Sequence, residues 1–472
     1  MTVLGRTLRE AATRFGGCVL LAPEGGAPWT YAEVDRASDE VAAGLAVAGI
    51  GDRSVVGLQM ESTPEWIVAA AAASKLGALY SGVNPRLAAA EQAPVLARLA
   101  ADLVLGPGDA FALRVEGAPP VAIPAPDPER PCVVVFTSGT TGEPKGAEFR
   151  ERNIDAIVGI DLGPRAGEWG GGGPILVSTQ FAHIGVSTKL AWYVRTGSRL
   201  HLLSRWRPED ALRITARERI PSIGGISAHI GLMMRQPDFD TYDLDCVQTI
   251  VMGGGPSPAP LVHEARRRFG AAYSNRYSST ECGGCGTGTA FDADDEEALH
   301  TVGRGRGGVE VAVEEGTGVV LLRSGAVMAS YWRDAERTAA TLDADGWLHT
   351  GDLGVLDEQG RLRLTGRATD MYIRGGYNVH PGEVEAVLLA HPAVAQVAVI
   401  ARPDDVLGEV GVAVVVPDDA AAPPTLEDLR EFGKGGLATY KLPEALVLRD
   451  SLPLTTMDKL DRRLLASELL ER

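Results

Sequence analysis

Apolar residues recur with helical spacing over residues 30–48, close to the start of the chain. Thr30 opens this stretch and Glu33 follows three residues later, the pattern of a capping box at the start of a helix. A short apolar run at 55–58 is typical of a strand, and the alanine-rich residues 64–78 predict a second helix. Strands that alternate with helices in this way predict βαβ units and a parallel sheet.

The alternation continues through the middle of the chain and changes after Gly303. Its further elements are predicted as strands at 132–136, 175–178, 200–203 and 249–252 and a helix at 208–218. Residues 105–131 are rich in Gly, Pro and Ala, which predicts a loop or linker. Beyond Gly303, short alternating strands such as 318–323 predict a small barrel or sheet appended to the α/β part.

The pattern restarts near Asp370. The predicted elements there are helices at 378–390, which Pro381 can open, and 425–432, with strands at 394–401, 410–416 and 445–448. A compact α+β unit of about a hundred residues fits a separate domain. We therefore predict an α/β fold: a large N-terminal domain, residues 1–369, of layered α/β sheets with a small barrel-like β part, then a small α+β C-terminal domain, residues 370–472.

Composition describes a globular chain and argues against several classes of function. Of the 472 residues, 45% are hydrophobic and 23% charged, which allows a large core. The net charge of −17 argues against general nucleic-acid binding and tight adhesion to an anionic membrane, because both need concentrated Lys and Arg. The N-terminus has no long apolar segment, and the apolar run at 66–73 is far shorter than a membrane span. We expect a cytoplasmic protein without integral membrane contact.

The chain has five cysteines, an odd number at scattered positions. This usage fits a reducing compartment better than a disulfide framework. Cys282 and Cys285 form a CxxC pair, but no second Cys/His pair lies near it in the sequence. A packing role is the leading interpretation of this pair, with a metal or redox role as the alternative.

The strongest local signal is the stretch Thr137–Gly146, which follows a predicted buried strand. Its glycines let backbone amides approach an oxyanion, and its hydroxyls add hydrogen-bond donors. Lys145 supplies the cation that a polyphosphate requires. It is not a Walker A loop, because Lys145 follows Pro144 and precedes Gly146. The predicted phosphate-binding residues are Thr137, Ser138, Gly139, Thr140, Thr141 and Lys145.

The stretch Phe136–Gly146 resembles the signature loop of the adenylating superfamily of acyl-CoA synthetases, peptide-synthetase adenylation domains and luciferases. Further segments resemble the motifs of this family in the family's order, so that the resemblance covers nearly the whole chain. It implies that the protein uses ATP and Mg²⁺ to convert a carboxylic acid to an acyl-adenylate, and that coenzyme A accepts the acyl group. It also implies that the C-terminal domain is mobile.

The resemblance assigns most of the nucleotide-binding residues. Asp352 in Thr350–Asp352 is the expected clamp of the ribose hydroxyls, and Arg367 lies near ribose or phosphate. In the segment Tyr277–Glu281, the ring of Tyr277 is expected to stack on adenine. Thr280 is expected to donate a hydrogen bond to phosphate, and Glu281 is expected to bind Mg²⁺. The family's glycine is Ser278 here. The remaining adenine-side and motif residues are Gly253, Gly254, Gly255, Pro256 and Ser279.

Three C-terminal features follow from the same resemblance. Asp370 is expected at the hinge between the domains, and Gly375 and Gly376 beside the pantetheine channel. Lys459 is expected to bridge the carboxylate and the α-phosphate as charge develops during adenylation. The glycine that normally precedes this lysine is Asp458 here, which puts a carboxylate beside the catalytic residue.

The acid pocket is expected around Phe181–Ile184, where His183 borders the carboxylate. Amino-acid-activating relatives carry an Asp where this chain has Ala182, which argues against an α-amino acid. The nearby residues are small or apolar and favour a fatty, alicyclic or aryl acid. The predicted pocket residues are Phe181, Ala182, Ile184, Gly225 and Cys282.

These observations predict an AMP-forming acid–thiol ligase whose catalytic residues are Lys459, His183 and Glu281. Transfer of the acyl group to an acyl carrier protein or a nonthiol acceptor is the alternative. A noncatalytic nucleotide-binding module is a more remote one. The sequence leaves open whether the protein is a monomer or a homodimer.

Overall fold

The structure is a computed structural model that describes residues 3–138, 144–177, 179–255, 257–368, 370–455 and 460–470. Among these residues no helix combines the length and the apolar character that crossing a bilayer requires. All five cysteines are described, and all are unpaired.

The α-helices of the described residues are distributed over the whole chain. They are α1 Leu4–Phe15, α2 Tyr31–Val47, α3 Pro64–Lys75, α4 Ala89–Leu99, α5 Asp109–Ala112, α6 Glu151–Leu162, α7 Ile184–Ser187, α8 Leu190–Arg195, α9 Pro208–Glu218, α10 Ser227–Met234, α11 Ala259–Phe269, α12 Asp295–His300, α13 Ala335–Thr341, α14 Pro381–Leu388, α15 Leu426–Gly433 and α16 Arg462–Leu470.

The strands of the described residues form five sheets. They are β1 Val19–Pro23, β2 Trp29–Thr30, β3 Val55–Leu58, β4 Leu79–Gly82, β5 Leu103–Leu105, β6 Pro131–Ser138, β7 Pro144–Arg150, β8 Pro174–Val177, β9 Arg199–Leu202, β10 Ser222–Gly225, β11 Thr249–Gly253, β12 Ala272–Tyr277, β13 Thr287–Gly288, β14 Arg304–Gly305, β15 Glu310–Val313, β16 Val319–Arg323, β17 Ser330–Tyr331, β18 Leu348–Leu356, β19 Leu362–Arg367, β20 Tyr372–Arg374, β21 Tyr377–Val379, β22 Val394–Asp404, β23 Gly408–Pro417 and β24 Ala445–Leu448.

The predicted parallel α/β layers are confirmed. One sheet has the order β17-β7-β6-β4-β3-β5, with β3 parallel to β4 and β5. A second runs β10-β11-β12-β13-β14, and its first three strands are parallel. A third has the order β2-β1-β9-β8. Helices α1 to α3 pack into one core around buried residues such as Leu8, Leu45 and Trp66.

Local signals predicted some boundaries better than others. Thr30 accepts the Glu33 N–H, and Glu33 in turn accepts the Thr30 N–H, so the predicted capping box begins α2. The helix predicted at 64–78 ends earlier, at Lys75. Gly77 has φ +74°, a left-handed conformation that ends the helix and leads the chain into β4. Apolar composition alone does not reveal this helix end. Within the predicted loop at 105–131, residues 109–112 form the short helix α5.

The antiparallel part after Gly303 is a four-stranded sheet of order β15-β16-β18-β19. The last sheet has the order β21-β20-β23-β22, with β24 added parallel to β23. It has its own apolar core, formed by residues such as Tyr372, Val399 and Leu429. The chain thus has the predicted large N-terminal part and small C-terminal part. The boundary between 369 and 370 stays a prediction, and Thr369 lies outside the described residues.

Replacing Gly44 in α2 with alanine is expected to destabilise the protein by about 1–3 kcal/mol, because the added methyl group overpacks a closed contact. A Cβ at Gly44 would lie 1.8 Å from the carbonyl oxygen of Leu113. Gly159 in α6 is the matched control, since a Cβ there would meet nothing within 4 Å. Gly159→Ala is expected to stabilise by about 0.5–1 kcal/mol through helix propensity. Thermal unfolding midpoints of both variants test this pair, and a Gly44→Ala midpoint at or above the wild type would contradict it.

Candidate active site

The phosphate-loop motif lies on a β-hairpin formed by β6 and β7. Thr137 is the cross-strand partner of Lys145, and Ser138 is the partner of Pro144. Directly opposed residues in an antiparallel pair present their side chains on the same face, so Thr137 and Lys145 share a face. The predicted residues Gly139, Thr140 and Thr141 lie outside the described residues, as does the side chain of Ser138.

Lys145 and Glu281 meet around the ring of Tyr331. The Lys145 Nζ lies 5.8 Å from the centre of this ring. The Tyr331 hydroxyl donates to Glu281 Oε1 at 2.8 Å. Burial first, and then the Glu281 charge, raise the pKa of Tyr331, so the phenol stays protonated and can donate. The carbonyl of Glu281 accepts the N–H of Met328 at 2.8 Å, which joins the two segments through their backbones.

The donor set around Glu281 fits Mg²⁺ bound together with a nucleotide. Among the described residues no group of three or more His, Cys, Asp or Glu side chains could hold a metal alone. Mg²⁺ is commonly bound by one or two carboxylates plus substrate phosphates. Tyr331 occupies one oxygen of Glu281, and no described residue donates to the other, Oε2. Glu281 is therefore suited to hold the metal against a phosphate.

Tyr277, Asp352 and Arg367 form a second cluster. The Tyr277 hydroxyl donates to Asp352 Oδ2 at 2.7 Å, and Arg367 Nε donates to Oδ1 at 2.8 Å. Asp352 on β18 and Arg367 on β19 are cross-strand partners. Burial, and then the charge of Asp352, raise the pKa of Tyr277. The Arg367 side chain is 58% exposed, so the cluster reaches from the core to the surface.

The segment from Tyr277 to Glu281 joins these two clusters. Within it Ser278 is exposed, whereas Thr280 is half-buried and its carbonyl accepts the Gly283 N–H. The Ser279 hydroxyl accepts the Cys282 N–H at 3.3 Å and holds the turn that follows. Cys282 is fully buried in the core beside Tyr277, and burial raises the pKa of its thiol to about 11. Such a buried thiol is typical of a packing role.

The predicted adenine-side glycines follow β11. Gly253 is the last residue of that strand, and it pairs in parallel with Arg276 on β12. Gly254 and Gly255 are exposed, and Pro256 lies outside the described residues. The parallel pairing brings the carboxyl ends of β11 and β12 to one edge of the sheet. This edge is where ligands bind in open α/β folds.

The predicted acid-pocket residues lie around α7. Phe181 is 2% exposed and packs edge-on against Trp66, so it belongs to the core. His183 begins α7, where its Nδ1 accepts the Gly185 N–H at 3.2 Å. Ala182 is half-buried and Ile184 is buried, 5% exposed. Gly225 ends β10.

The hinge candidate Asp370 contacts the C-terminal segment. Its carboxylate lies 3.4 Å from the Arg462 Nε, and Arg462 also pairs with Glu385 at 2.6 Å. Leu454 and Leu460 form an antiparallel bridge. Lys459 and Asp458 lie between them, outside the described residues.

Gly375 and Gly376 form the turn of the hairpin between β20 and β21. Their φ angles are +56° and +86°, and the flanking residues Arg374 and Tyr377 are cross-strand partners. Two-residue hairpin turns with both φ angles positive strongly favour glycine. The turn accounts for both glycines structurally, and their place beside a pantetheine channel stays a prediction.

Sequence reasoning missed Tyr331, which links Lys145 to Glu281. It is 50 residues away from Glu281 in the chain, and no spacing or motif connects the two. It also missed Lys189, Asp161 and Arg306, whose side chains form a buried ion-pair group. A single lysine between two short helices is a weak signal, since its partners come from distant elements.

Comparison with known families gives a match over most of the chain. The model of the AMP-binding enzyme matches residues 8–332, more than half of the 472 residues. The model of the AMP-binding enzyme C-terminal domain matches residues 383–459. The first match contains the hairpin motif and both residues Tyr277 and Glu281.

Individual proteins are similar over nearly their whole length. The chain is 30% identical to the indoleacetate–CoA ligase of Aromatoleum aromaticum, with 91% of each chain covered. The o-succinylbenzoate CoA synthetase of Bacillus subtilis, solved with its acyl-adenylate intermediate, has a TM-score of 0.85, 27% identity and 97% of each chain covered. An amide bond synthetase of Marinactinospora thermotolerans has a TM-score of 0.88 and 29% identity, covering 99% of this chain and 100% of its own. The chain therefore belongs to the AMP-binding enzyme family, the adenylating superfamily that includes the acyl-CoA synthetases.

Proposed function

We propose that this enzyme activates a fatty, alicyclic or aryl carboxylic acid with ATP and transfers the acyl group to coenzyme A. In the first half-reaction a carboxylate oxygen attacks the α-phosphorus of ATP, the bond to pyrophosphate breaks, and acyl-AMP forms. In the second, the thiolate of coenzyme A attacks the acyl carbon and AMP leaves. Splitting the reaction replaces a poor oxide leaving group with AMP.

The observation that carries this proposal is the convergence of two clusters on the segment 277–281. Lys145, Tyr331 and Glu281 put a cation and a carboxylate together, as triphosphate with Mg²⁺ requires. Asp352 lies within reach of the surface beside Arg367 and can accept from both ribose hydroxyls. A nucleotide that spans both clusters has its ribose at Asp352 and its phosphates toward Glu281.

The residues of the chain would act mainly by positioning and charge neutralisation. Mg²⁺ bound at Glu281 would neutralise phosphate charge. Lys145 stabilises the polyphosphate, and Lys459 neutralises the charge that develops between the acid carboxylate and the α-phosphate. His183, at the start of α7, borders the acid carboxylate. Rotation of the C-terminal domain about Asp370 then exchanges Lys459 for the thioester-forming face.

Similarity to CoA ligases supports coenzyme A as the acceptor. The small or apolar residues around Ile184 and after Glu281 support a fatty, alicyclic or aryl acid over an α-amino acid. We also infer that the enzyme acts in the cytoplasm, where ATP and coenzyme A are available and where unpaired cysteines such as Cys18 and Cys132 stay reduced.

The experiment that tests this proposal is acid-dependent exchange of pyrophosphate into ATP, measured over acids graded in chain length and ring content. Acids that support exchange are then offered with coenzyme A, with a pantetheine-bearing carrier protein or with a primary amine. Thioester formation with free coenzyme A is the expected result. Exchange followed by transfer only to the carrier protein or only to the amine would show that the acceptor is that compound and not coenzyme A. Absence of exchange with every acid would reject the proposed enzymatic activity and favour a noncatalytic nucleotide-binding module.

A further inference from the structure

A group of charged side chains lies inside the protein beside the loop that follows Glu281. The Lys189 Nζ donates to Asp161 Oδ2 at 2.7 Å and lies 3.1 Å from the Cys285 Sγ. The Arg306 Nη2 donates to the other oxygen of Asp161 at 3.0 Å. We call Asp161, Lys189, Cys285 and Arg306 the floor cluster. The side chains of Lys189 and Asp161 are each 9% exposed and that of Arg306 is 24% exposed, so the cluster borders accessible space.

Positive charges outnumber negative ones in this cluster. Asp161 alone balances both Lys189 and Arg306. Burial raises the pKa of the Cys285 thiol although Lys189 works against it, so the thiol adds no negative charge.

Arg276 adds to this excess. Burial, and then the charge of Arg306, lower the pKa of Arg276 to about 10. Its guanidinium carbon lies 5.6 Å from the centre of the Phe291 ring, and the charge of Asp161 offsets only part of the lowering of its pKa. Uncompensated positive charge is costly inside a protein, and an anionic ligand would relieve that cost.

Gly284 places the floor cluster at the predicted acid pocket. A Cβ on this residue would lie 3.5 Å from Lys189 Cε and 3.7 Å from Ile184 Cγ1. Because Gly284 has no side chain, nothing at this position separates Ile184 from the lysine. Ile184 is one of the residues predicted for the acid pocket, and Gly284 lies two positions after another, Cys282. Lys189 Cε and Ile184 Cγ1 thus both lie within 4 Å of the Cβ position of Gly284, which puts the lysine beside one residue of the proposed acid pocket.

We propose that the floor cluster selects acids that carry a second carboxylate, with Lys189 and Arg306 as specificity-determining residues. This inference rests on the proposed function and names the substrate class of the same site: a fatty, alicyclic or aryl dicarboxylic acid. One carboxylate faces the nucleotide and reacts. The distal carboxylate lies against Lys189 and Arg306, where it balances the charge that Asp161 leaves over.

The test compares monocarboxylic and α,ω-dicarboxylic acids of equal chain length in pyrophosphate release by the purified full-length enzyme. At the best chain length, the wild-type kcat/KM is expected to be about 10- to 100-fold higher for the dicarboxylic acid. Arg306→Gln keeps the pair of Lys189 with Asp161. Lys189→Met keeps the pair of Arg306 with Asp161, so that no buried charge is left without a partner. Each variant is expected to lower the ratio of the two kcat/KM values by about tenfold.

Lys434→Met is the matched control, because Lys434 is an exposed lysine that pairs with the exposed Glu431. It should leave the ratio unchanged. The inference is overturned if the wild type prefers the monocarboxylic acid at every chain length, or if the variants lower both activities equally. If a variant fails to fold, the comparison of the two acid classes with the wild-type enzyme still tests the inference. If no acid of either class supports pyrophosphate release, the proposed function fails and this inference fails with it.

Discussion

Replacing Lys459 with alanine is expected to lower acid-dependent pyrophosphate exchange by about 100- to 1,000-fold, the loss typical of removing one preorganised donor from a transition state. Thioester formation from supplied acyl-AMP and coenzyme A is expected to survive, because the role proposed for Lys459 is confined to the first half-reaction. The two half-reactions are measured separately, the first by exchange of labelled pyrophosphate and the second by release of AMP.

Contacts of Arg462, three residues after Lys459, support this role. Arg462 lies 3.4 Å from the carboxylate of Asp370. The Asp370 N–H donates to the Arg367 carbonyl at 3.2 Å, and Arg367 pairs with Asp352. Direct contacts thus connect Asp352, through Arg367 and Asp370, to Arg462, which is three positions beyond Lys459. Arg462, which follows Lys459 in the sequence, is therefore held against the hinge candidate Asp370.

Lys434→Ala is the matched control for this experiment. Lys434 belongs to the same C-terminal part, is exposed, and pairs with Glu431 in the last turn of the helix α15 that it follows. It should leave both half-reactions unchanged. Equal losses in both half-reactions for Lys459→Ala would contradict the assigned role, since they would indicate a folding defect or a shared function.

Asp352→Ala is expected to raise the KM for ATP by about 10- to 100-fold. A carboxylate that bonds a ribose hydroxyl contributes about 1.5–3 kcal/mol, and this variant removes it. The same change leaves the buried hydroxyl of Tyr277 without its acceptor, which costs about 1–3 kcal/mol of folding stability. Initial rates over a series of ATP concentrations, with thermal unfolding in parallel, measure both effects.

Two variants separate nucleotide binding from stability. Asp352→Asn keeps the shape and an acceptor for Tyr277 but lacks the charge, so it should retain more stability than the alanine variant. Asp405→Ala removes an exposed aspartate of the C-terminal part and should change neither quantity. An unchanged KM for ATP in both variants at position 352 would show that this carboxylate does not hold the ribose.

Short-range patterns predicted much of the architecture. The capping box at Thr30, the apolar strand before Thr137 and the change of period after Gly303 were each readable from a few neighbouring residues. Local sequence carries such information because helix caps, strand alternation and turns depend on contacts between residues close in the chain. The motif order then predicted the family, which the family match over residues 8–332 confirms.

Contacts between distant segments could not be predicted from local sequence patterns. Glu281 was predicted as a metal ligand, but its bond to Tyr331 depends on β17 pairing with β7 and on the loop after β12 folding back beside them. Asp352 and Arg367 were predicted separately, and their pairing follows from the register of β18 and β19.

The acid pocket shows the same division most clearly. The residues around Ile184 are small or apolar in the sequence, and they predict an apolar pocket. Folding adds Asp161 from α6 and Arg306, which follows β14, to Lys189 beside the pocket. Residue types and their spacing thus establish the family and its chemistry, because those depend on local motifs. The charge beside the proposed acid pocket depends on which remote side chains the folded chain brings within about 4 Å of each other, the range at which ion pairs form.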